Sequence, residues 1–197
     1  MWKQHKSFSF VFLLIMILNL TVQFGLFKDL NLFVKPLISI SLAFYLYSKC
    51  KMEKGFNRLV FAGLLFSLFG DCFLIFAGAE VYFFLYGLLA FLLTHIVYSA
   101  AFFRDFKNSP QSSKLYGHLM LFLMGVFSLS YYTWIRDYLN NFRIPVLIYV
   151  FVISMMAILA AYRYKRVNLF SFRLILWGAT LFVISDAVLA FNKFVEP

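Results

Sequence analysis

Leu64-Leu65-Phe66-Ser67-Leu68-Phe69-Gly70-Asp71-Cys72-Phe73-Leu74-Ile75-Phe76 is an apolar run with a single carboxylate in its middle. An ionised aspartate at the centre of a membrane helix costs about 2.5–3.5 kcal/mol on insertion scales. Burial in a soluble core is also hostile to an unpaired charge. The pattern occurs twice. Ser185-Asp186-Ala187-Val188-Leu189-Ala190-Phe191 repeats small-Asp-x-x-Leu-x-Phe, with Leu181-Phe182 upstream of Asp186 and Leu65-Phe66 upstream of Asp71. Two costly carboxylates in matched settings are the central fact to explain.

The surrounding chain decides which medium they sit in. Its 197 residues are 63% hydrophobic and 13% charged, against about 45–50% apolar and about 25% charged for a soluble domain. Such a chain has too little polar surface to cover itself, which predicts an all-α, polytopic transmembrane bundle. The net charge of +10 does not read as nucleic-acid binding, because the basic residues lie between apolar runs, where they set topology. Cys50 and Cys72 have no CxxC or metal-ligand spacing and read as free thiols.

Apolar runs of about 20 residues are the spanning unit. Seven are expected, at about 8–27, 32–49, 58–77, 81–103, 115–134, 145–162 and 172–192, in a single transmembrane domain over 1–197. The first follows Lys3 and Lys6 but is too long for a signal-peptide core, so it reads as a retained helix. Alternate connections differ sharply in basic charge. One side carries Lys3, Lys6, Lys49, Lys51, Lys54, Arg58, Arg104, Lys107, Lys114, Arg163, Lys165, Arg166 and Arg173; the other carries Lys28, Arg136, Arg143 and Lys193. The positive-inside rule then places the N-terminus in the cytoplasm. Pro36 and Pro145 are expected in the first turn of their helices, where proline is tolerated. These two prolines and the two Asp patterns suggest a parallel-oriented internal repeat, helices one to four and five to seven.

The cytoplasmic basic ends serve as a ruler, since a helix rises about 1.5 Å per residue. Asp71 from Arg58, Asp186 from Arg173 and Asn19 from Lys6 stand at one common separation. Lys35 from Lys49, Tyr149 from Arg163 and Ser128 from Lys114 differ from it by a single residue. All six therefore lie roughly 20 Å from the basic ends. His95 is about one turn nearer the cytoplasmic end, and Tyr98 shares its helix face at i+3. Asn19 and Ser128 read as helix–helix glue. Intramembrane Asp and Lys usually face a cavity and mark function, although Lys35 as a simple ion-pair partner of one Asp is a structural alternative. Gly63, Ser67, Gly70 and Leu74 are expected to share a face with Asp71, with Gly87, Phe91, His95, Tyr98 and Phe102 as a comparable stripe on the fourth helix.

Paired carboxylates suit acid and base work when their environments differ. A serine triad is not supported, because Ser185 and Asp186 are adjacent on a helix and do not face each other. A catalytic zinc site commonly takes three protein ligands. Only His95 lies in the layer, with His5 and His118 near the edge, so no metal and no cofactor are expected.

Four segments in order, Lys35-Pro36-Leu37, Ser67-Leu68-Phe69-Gly70-Asp71, Phe91-Leu92-Leu93-Thr94-His95-Ile96-Val97-Tyr98 and Gly178-Ala179-Thr180-Leu181-Phe182-Val183-Ile184-Ser185-Asp186, resemble the YhhN family of integral membrane proteins. The resemblance covers nearly the whole chain. Its characterised members are lysoplasmalogenases, and the family usually has about eight membrane helices. The resemblance therefore implies a final helix beyond the seven read here. It also implies hydrolysis of the vinyl-ether bond of a lysoplasmalogen to a fatty aldehyde and a glycerophospho-alcohol.

On that reading Asp71 and Asp186 are the catalytic acid and base, facing one another across a cavity. His95 shuttles a proton or orients water. Lys35 meets the phosphate or holds one Asp ionised, and Tyr98, Tyr149 and Asn19 are further substrate-binding candidates. The partners are a lysophospholipid substrate and the lipid bilayer, and the expected location is a bacterial cytoplasmic membrane. A proton-coupled transporter using the same Asp, Lys and His residues is the main alternative, and a scaffold without turnover is a third.

Overall fold

In hydrocarbon every peptide N–H and C=O must be satisfied within its own segment, so long apolar runs fold as helices. A computed structural model of the protein describes residues 2–23, 30–50, 55–78, 80–108 and 114–196. The last residues of the first expected span and the topogenic Lys28, Lys51 and Lys54 lie outside them, as do the side chains of Lys3, His5 and Lys6. Among the described residues there are seven α-helices and no strand: α1 (Trp2–Gln23), α2 (Asn31–Lys49), α3 (Gly55–Ile75), α4 (Val81–Asn108), α5 (Leu115–Ile135), α6 (Arg143–Tyr162) and α7 (Leu169–Phe194).

Among the described residues, five helical segments are long and apolar enough to cross a membrane: Gly55–Ile75, Tyr82–Asn108, Leu115–Tyr138, Asn140–Tyr162 and Leu169–Phe194. In α1 the apolar part is Phe8–Val22, and α2 has 19 residues that include Lys35 and Lys49. Large apolar side chains stand outward along these helices, among them Phe44 at 71% exposure, Phe122 at 66%, Phe151 at 66% and Trp177 at 67%. A soluble monomer rarely exposes apolar surface on this scale; these are lipid-facing positions, and the chain is a multi-pass integral membrane protein.

The chain divides into two compact units, Met1–Val97 and Tyr98–Pro197, with the division falling inside α4. In the first unit α2 packs against both α1 and α3, and Phe8 of α1 stacks on Tyr45 of α2 with centroids 3.7 Å apart. The helix α2 begins at Asn31, so Pro36 lies inside it rather than in the expected first turn. There the proline supplies no N–H to the carbonyl one turn back.

The small residues of α3 do what their spacing promised, but toward a different neighbour from Asp71. Gly63, Ser67 and Gly70 are buried. A Cβ on Gly70 would meet the Phe91 ring of α4 at 2.7 Å, and one on Gly87 of α4 would meet Leu74 of α3 at 2.8 Å. Fully buried Thr94 places its hydroxyl 3.1 Å from the Ala90 carbonyl of its own helix and 3.3 Å from the Gly63 carbonyl of α3. Asp71 follows Gly70, about 100° further round the helix, and so does not share the face that meets α4.

In the second unit α6 is the buried element, packed against α5 and α7. Its Val146, Tyr149, Ile153, Ser154, Met156, Ala157, Ala160 and Ala161 are all buried. Ser154 and Ser128 of α5 are hydrogen-bonded at 2.7 Å, and Tyr131 of α5 donates to the Ala187 carbonyl of α7 at 2.5 Å. Two single 3-10 turns, Arg136–Tyr138 and Asn140–Phe142, join α5 to α6 over buried Ile135, Leu139 and Val146. Asn168 caps α7 by accepting from the Ser171 backbone N–H at 2.7 Å.

At the far end of α6, Arg163 is buried. It donates through Nε to Asp105 of α4 at 2.8 Å and lies 5.4 Å from the Phe102 ring centroid. Of the basic residues read as topogenic, Arg163 is a core ion pair rather than a solvated charge.

At Gly117 of α5 a Cβ would run into the Tyr162 ring of α6, whereas nothing lies within 4 Å of the same position at Gly125. Gly117→Ala should therefore lower thermal stability in detergent by about 1–3 kcal/mol, the usual cost of overpacking. Gly125→Ala should leave the unfolding midpoint unchanged or slightly raised. Scanning fluorimetry of the two variants side by side reads the difference.

Candidate active site

A helix interior offers a buried carboxylate nothing from its own backbone, whose N–H groups are already bonded one turn back. A donor must come from another helix. Asp71 and Asp186 are both half-buried, and each is reached by a hydroxyl from the helix that precedes it. Ser39 of α2, itself 5% exposed, donates to Asp71 Oδ2 of α3 at 2.9 Å. Tyr149 of α6, 7% exposed, donates to Asp186 Oδ2 of α7. In both cases the donor helix carries the proline, and the acceptor helix carries the small-Asp-x-x-Leu-x-Phe pattern.

The remaining expected site residues fall as follows. Asn19 of α1 and His95 of α4 are buried in the first unit, His95 completely. Lys35 is half-buried on α2, one turn before Ser39 and on the same helix face. Since Ser39 is level with Asp71, the Lys35 backbone is displaced along α2 by about 6 Å. The common depth inferred from basic ends therefore holds for Tyr149 with Asp186 but slips by a turn for Lys35 with Asp71. Tyr98 of α4 stacks on Phe102, with centroids 6.3 Å apart and planes inclined by 21°. Among the described residues no three or more His, Cys, Asp or Glu side chains gather as a metal site would require.

Ser39 is the residue that sequence reading missed. Three serines lie on α2, and two behave as helical serines commonly do. Ser41 donates to the Ile38 carbonyl at 2.9 Å and Ser48 to the Phe44 carbonyl at 2.8 Å, both within their own helix. Ser39 alone of the three reaches across to a carboxylate. The available signal was the spacing from the two prolines: Ser39 follows Pro36, as Tyr149 follows Pro145, by about one turn.

The chain matches the YhhN family over residues 30–197. It is 31% identical over 147 residues to the lysoplasmalogenase TMEM86A of Bos taurus, an alignment covering 70% of this chain and 55% of that protein. The chain thus spans little more than half the length of this curated relative. No solved structure matches.

The hydrogen bond to Asp186 has a stability consequence that is separable from chemistry. Asp186→Asn keeps an amide oxygen able to accept from Tyr149, so its unfolding midpoint should stay close to wild type. Asp186→Leu leaves a buried phenol without that acceptor and should cost about 1–3 kcal/mol. Thermal unfolding of the two variants in the same detergent distinguishes them.

Proposed function

The chain belongs to the YhhN family, and from that premise we propose that it is a membrane-embedded hydrolase that cleaves the vinyl-ether bond of lysoplasmalogens. The observation that carries the reading is the pair of intramembrane aspartates, each held by a hydroxyl from the preceding helix. The likeness to a lysoplasmalogenase supports the choice of bond.

A vinyl ether is hydrolysed by protonation on carbon. A carboxylic acid gives its proton to the alkene carbon remote from the ether oxygen, and that oxygen shares the positive charge left on the carbon bonded to it. Water adds to that oxocarbenium carbon and loses a proton to a base, forming a hemiacetal. The hemiacetal collapses to a fatty aldehyde and the glycerophospho-alcohol. The net change is one water consumed, with no oxidation. This needs one carboxyl that donates and one carboxylate that stabilises the cation and takes the proton from water, the division of labour of glycosidases.

Asp71 and Asp186 divide these roles. His95, wholly buried on α4, relays the proton or orients the water. Lys35, one turn from the Ser39–Asp71 pair, takes the substrate phosphate. Tyr98 and Asn19 complete the substrate-binding set, and Tyr149 acts through its hydrogen bond to Asp186. The apolar helix surfaces admit the lipid chain from the bilayer, and the N-terminus is cytoplasmic by the basic-residue asymmetry.

Purified protein given a 1-alkenyl lysophospholipid in detergent should release fatty aldehyde. Asp71→Asn and Asp186→Asn should each cut turnover by at least about 10²-fold, the lower range of general acid–base assistance. Near-wild-type aldehyde release in either variant defeats the assignment. Solute movement in proteoliposomes with no aldehyde from the wild type would mark a carrier instead.

A further inference from the structure

We propose that Ser39 is a positioning residue for the reaction: its hydroxyl fixes the Asp71 carboxyl group in the orientation that chemistry uses, in both of its protonation states. The inference rests on the hydrolase reading and extends it to a residue outside the acid–base set.

Three observations support it. Ser39 is buried, and its Oγ lies 2.9 Å from Asp71 Oδ2. Ser41 and Ser48 on the same helix spend their hydroxyls on their own backbone, so the cross-helix bond is a feature of this position rather than of α2. The second aspartate has the same arrangement, with Tyr149 of the preceding helix donating to Asp186. Two unlike side chains, a serine and a tyrosine, supply the same group to the same kind of acceptor.

The group they share suits an acid–base residue. The terminal torsion of an aspartate is broad and roughly two-fold, so an unrestrained carboxyl presents either oxygen over a wide arc. A hydrogen bond from a neighbouring helix removes that freedom. A hydroxyl is both donor and acceptor, and its hydrogen rotates to suit. It donates to the ionised carboxylate and accepts from the protonated acid without moving a heavy atom. A lysine or a backbone N–H only donates, so it favours the ionised state and cannot accept the O–H of the protonated acid. A carboxyl that gains and loses a proton in each turnover is therefore best held by a hydroxyl.

The test uses the whole chain in detergent, with aldehyde release from a 1-alkenyl lysophospholipid and thermal unfolding followed in parallel. Ser39→Ala removes one oxygen and leaves a residue of high helix propensity. It should lower kcat by at least about tenfold, toward the ~10²-fold that misplacing a reacting group costs. KM should stay within about twofold, the signature of an interaction that matters after binding. Ser39→Thr, which keeps the hydroxyl, should recover most of the lost kcat, and Ser39→Ala should stay fully folded at the assay temperature, its midpoint lowered by no more than the loss of one hydrogen bond allows.

A wild-type kcat in Ser39→Ala, beside an inactive Asp71→Asn, overturns the positioning role and leaves the hydrolase reading standing. A loss carried in KM, a loss that Ser39→Thr fails to recover, or a loss accounted for by unfolding at the assay temperature also overturns it, because each marks binding or packing instead. A wild-type protein that releases no aldehyde overturns the hydrolase reading and this inference together.

Discussion

A carboxylate inside an apolar helix has to be satisfied by a different helix, and that requirement orders much of what is seen here. Asp71 fixes the rotation of α3 against α2 through Ser39, and Asp186 fixes α7 against α6 through Tyr149. Once α3 is set in this way, its glycine-rich face lies about a quarter-turn away. That face meets the Phe91 ring of α4 at a distance that leaves no room for a Cβ at Gly70, and its Gly63 carbonyl lies within hydrogen-bond reach of Thr94. The helix thus has a polar edge toward one neighbour and a close-packed edge toward another. In lipid, where apolar burial between helices adds little, such hydrogen bonds and close backbone approaches are the forces that hold a bundle together.

The helical architecture and the two aspartates were legible because both follow from the medium. Runs of apolar residues long enough to span have one structural solution, and a charge within such a run demands explanation by its cost alone. Tyr149 was found as a site candidate by depth, and it does meet Asp186. Lys35 was placed level with Asp71 by the same reasoning, yet Ser39, one turn later, is the residue at that level. The ruler starts from basic residues whose long side chains reach several ångströms toward the interface. It also takes no account of where each helix begins relative to its basic residue. Lys49 is the last residue of α2, whereas Arg58 lies inside α3, which starts at Gly55. Ser39 itself was hidden because a serine in a helix ordinarily bonds its own backbone, and only contact between helices distinguishes it from Ser41 and Ser48.

Arg163 shows the same limit from another direction. By sequence it belongs with the basic residues that set orientation, and nothing local separates it from Lys165 or Arg166. In the fold it is 2% exposed and paired with Asp105 on a helix far away in the chain. Its guanidinium also approaches Phe102, whose ring lies one turn from Asp105 along α4. Charge counting registers the cation, but burial and pairing are tertiary facts. An ion pair of this kind adds little net stability over an apolar substitute, yet removing one partner leaves an uncompensated charge.

The two aspartates are matched in sequence but not in partner, and that difference bears on chemistry. If the two halves descend from one repeated unit, the Pro helix and the Asp helix have been kept in each, while the donor has diverged to an aliphatic hydroxyl in one and a phenol in the other. A phenol is the stronger hydrogen-bond donor and brings a large buried ring with it; a serine is smaller and leaves more of its acceptor open to other groups. A symmetric pair of carboxylates in identical surroundings would have no reason to behave differently from one another. Acid–base catalysis by two like groups requires that their environments separate them. On the proposed hydrolase reading, unlike donors to like acceptors would supply that separation while leaving both aspartates held by the neighbouring helix.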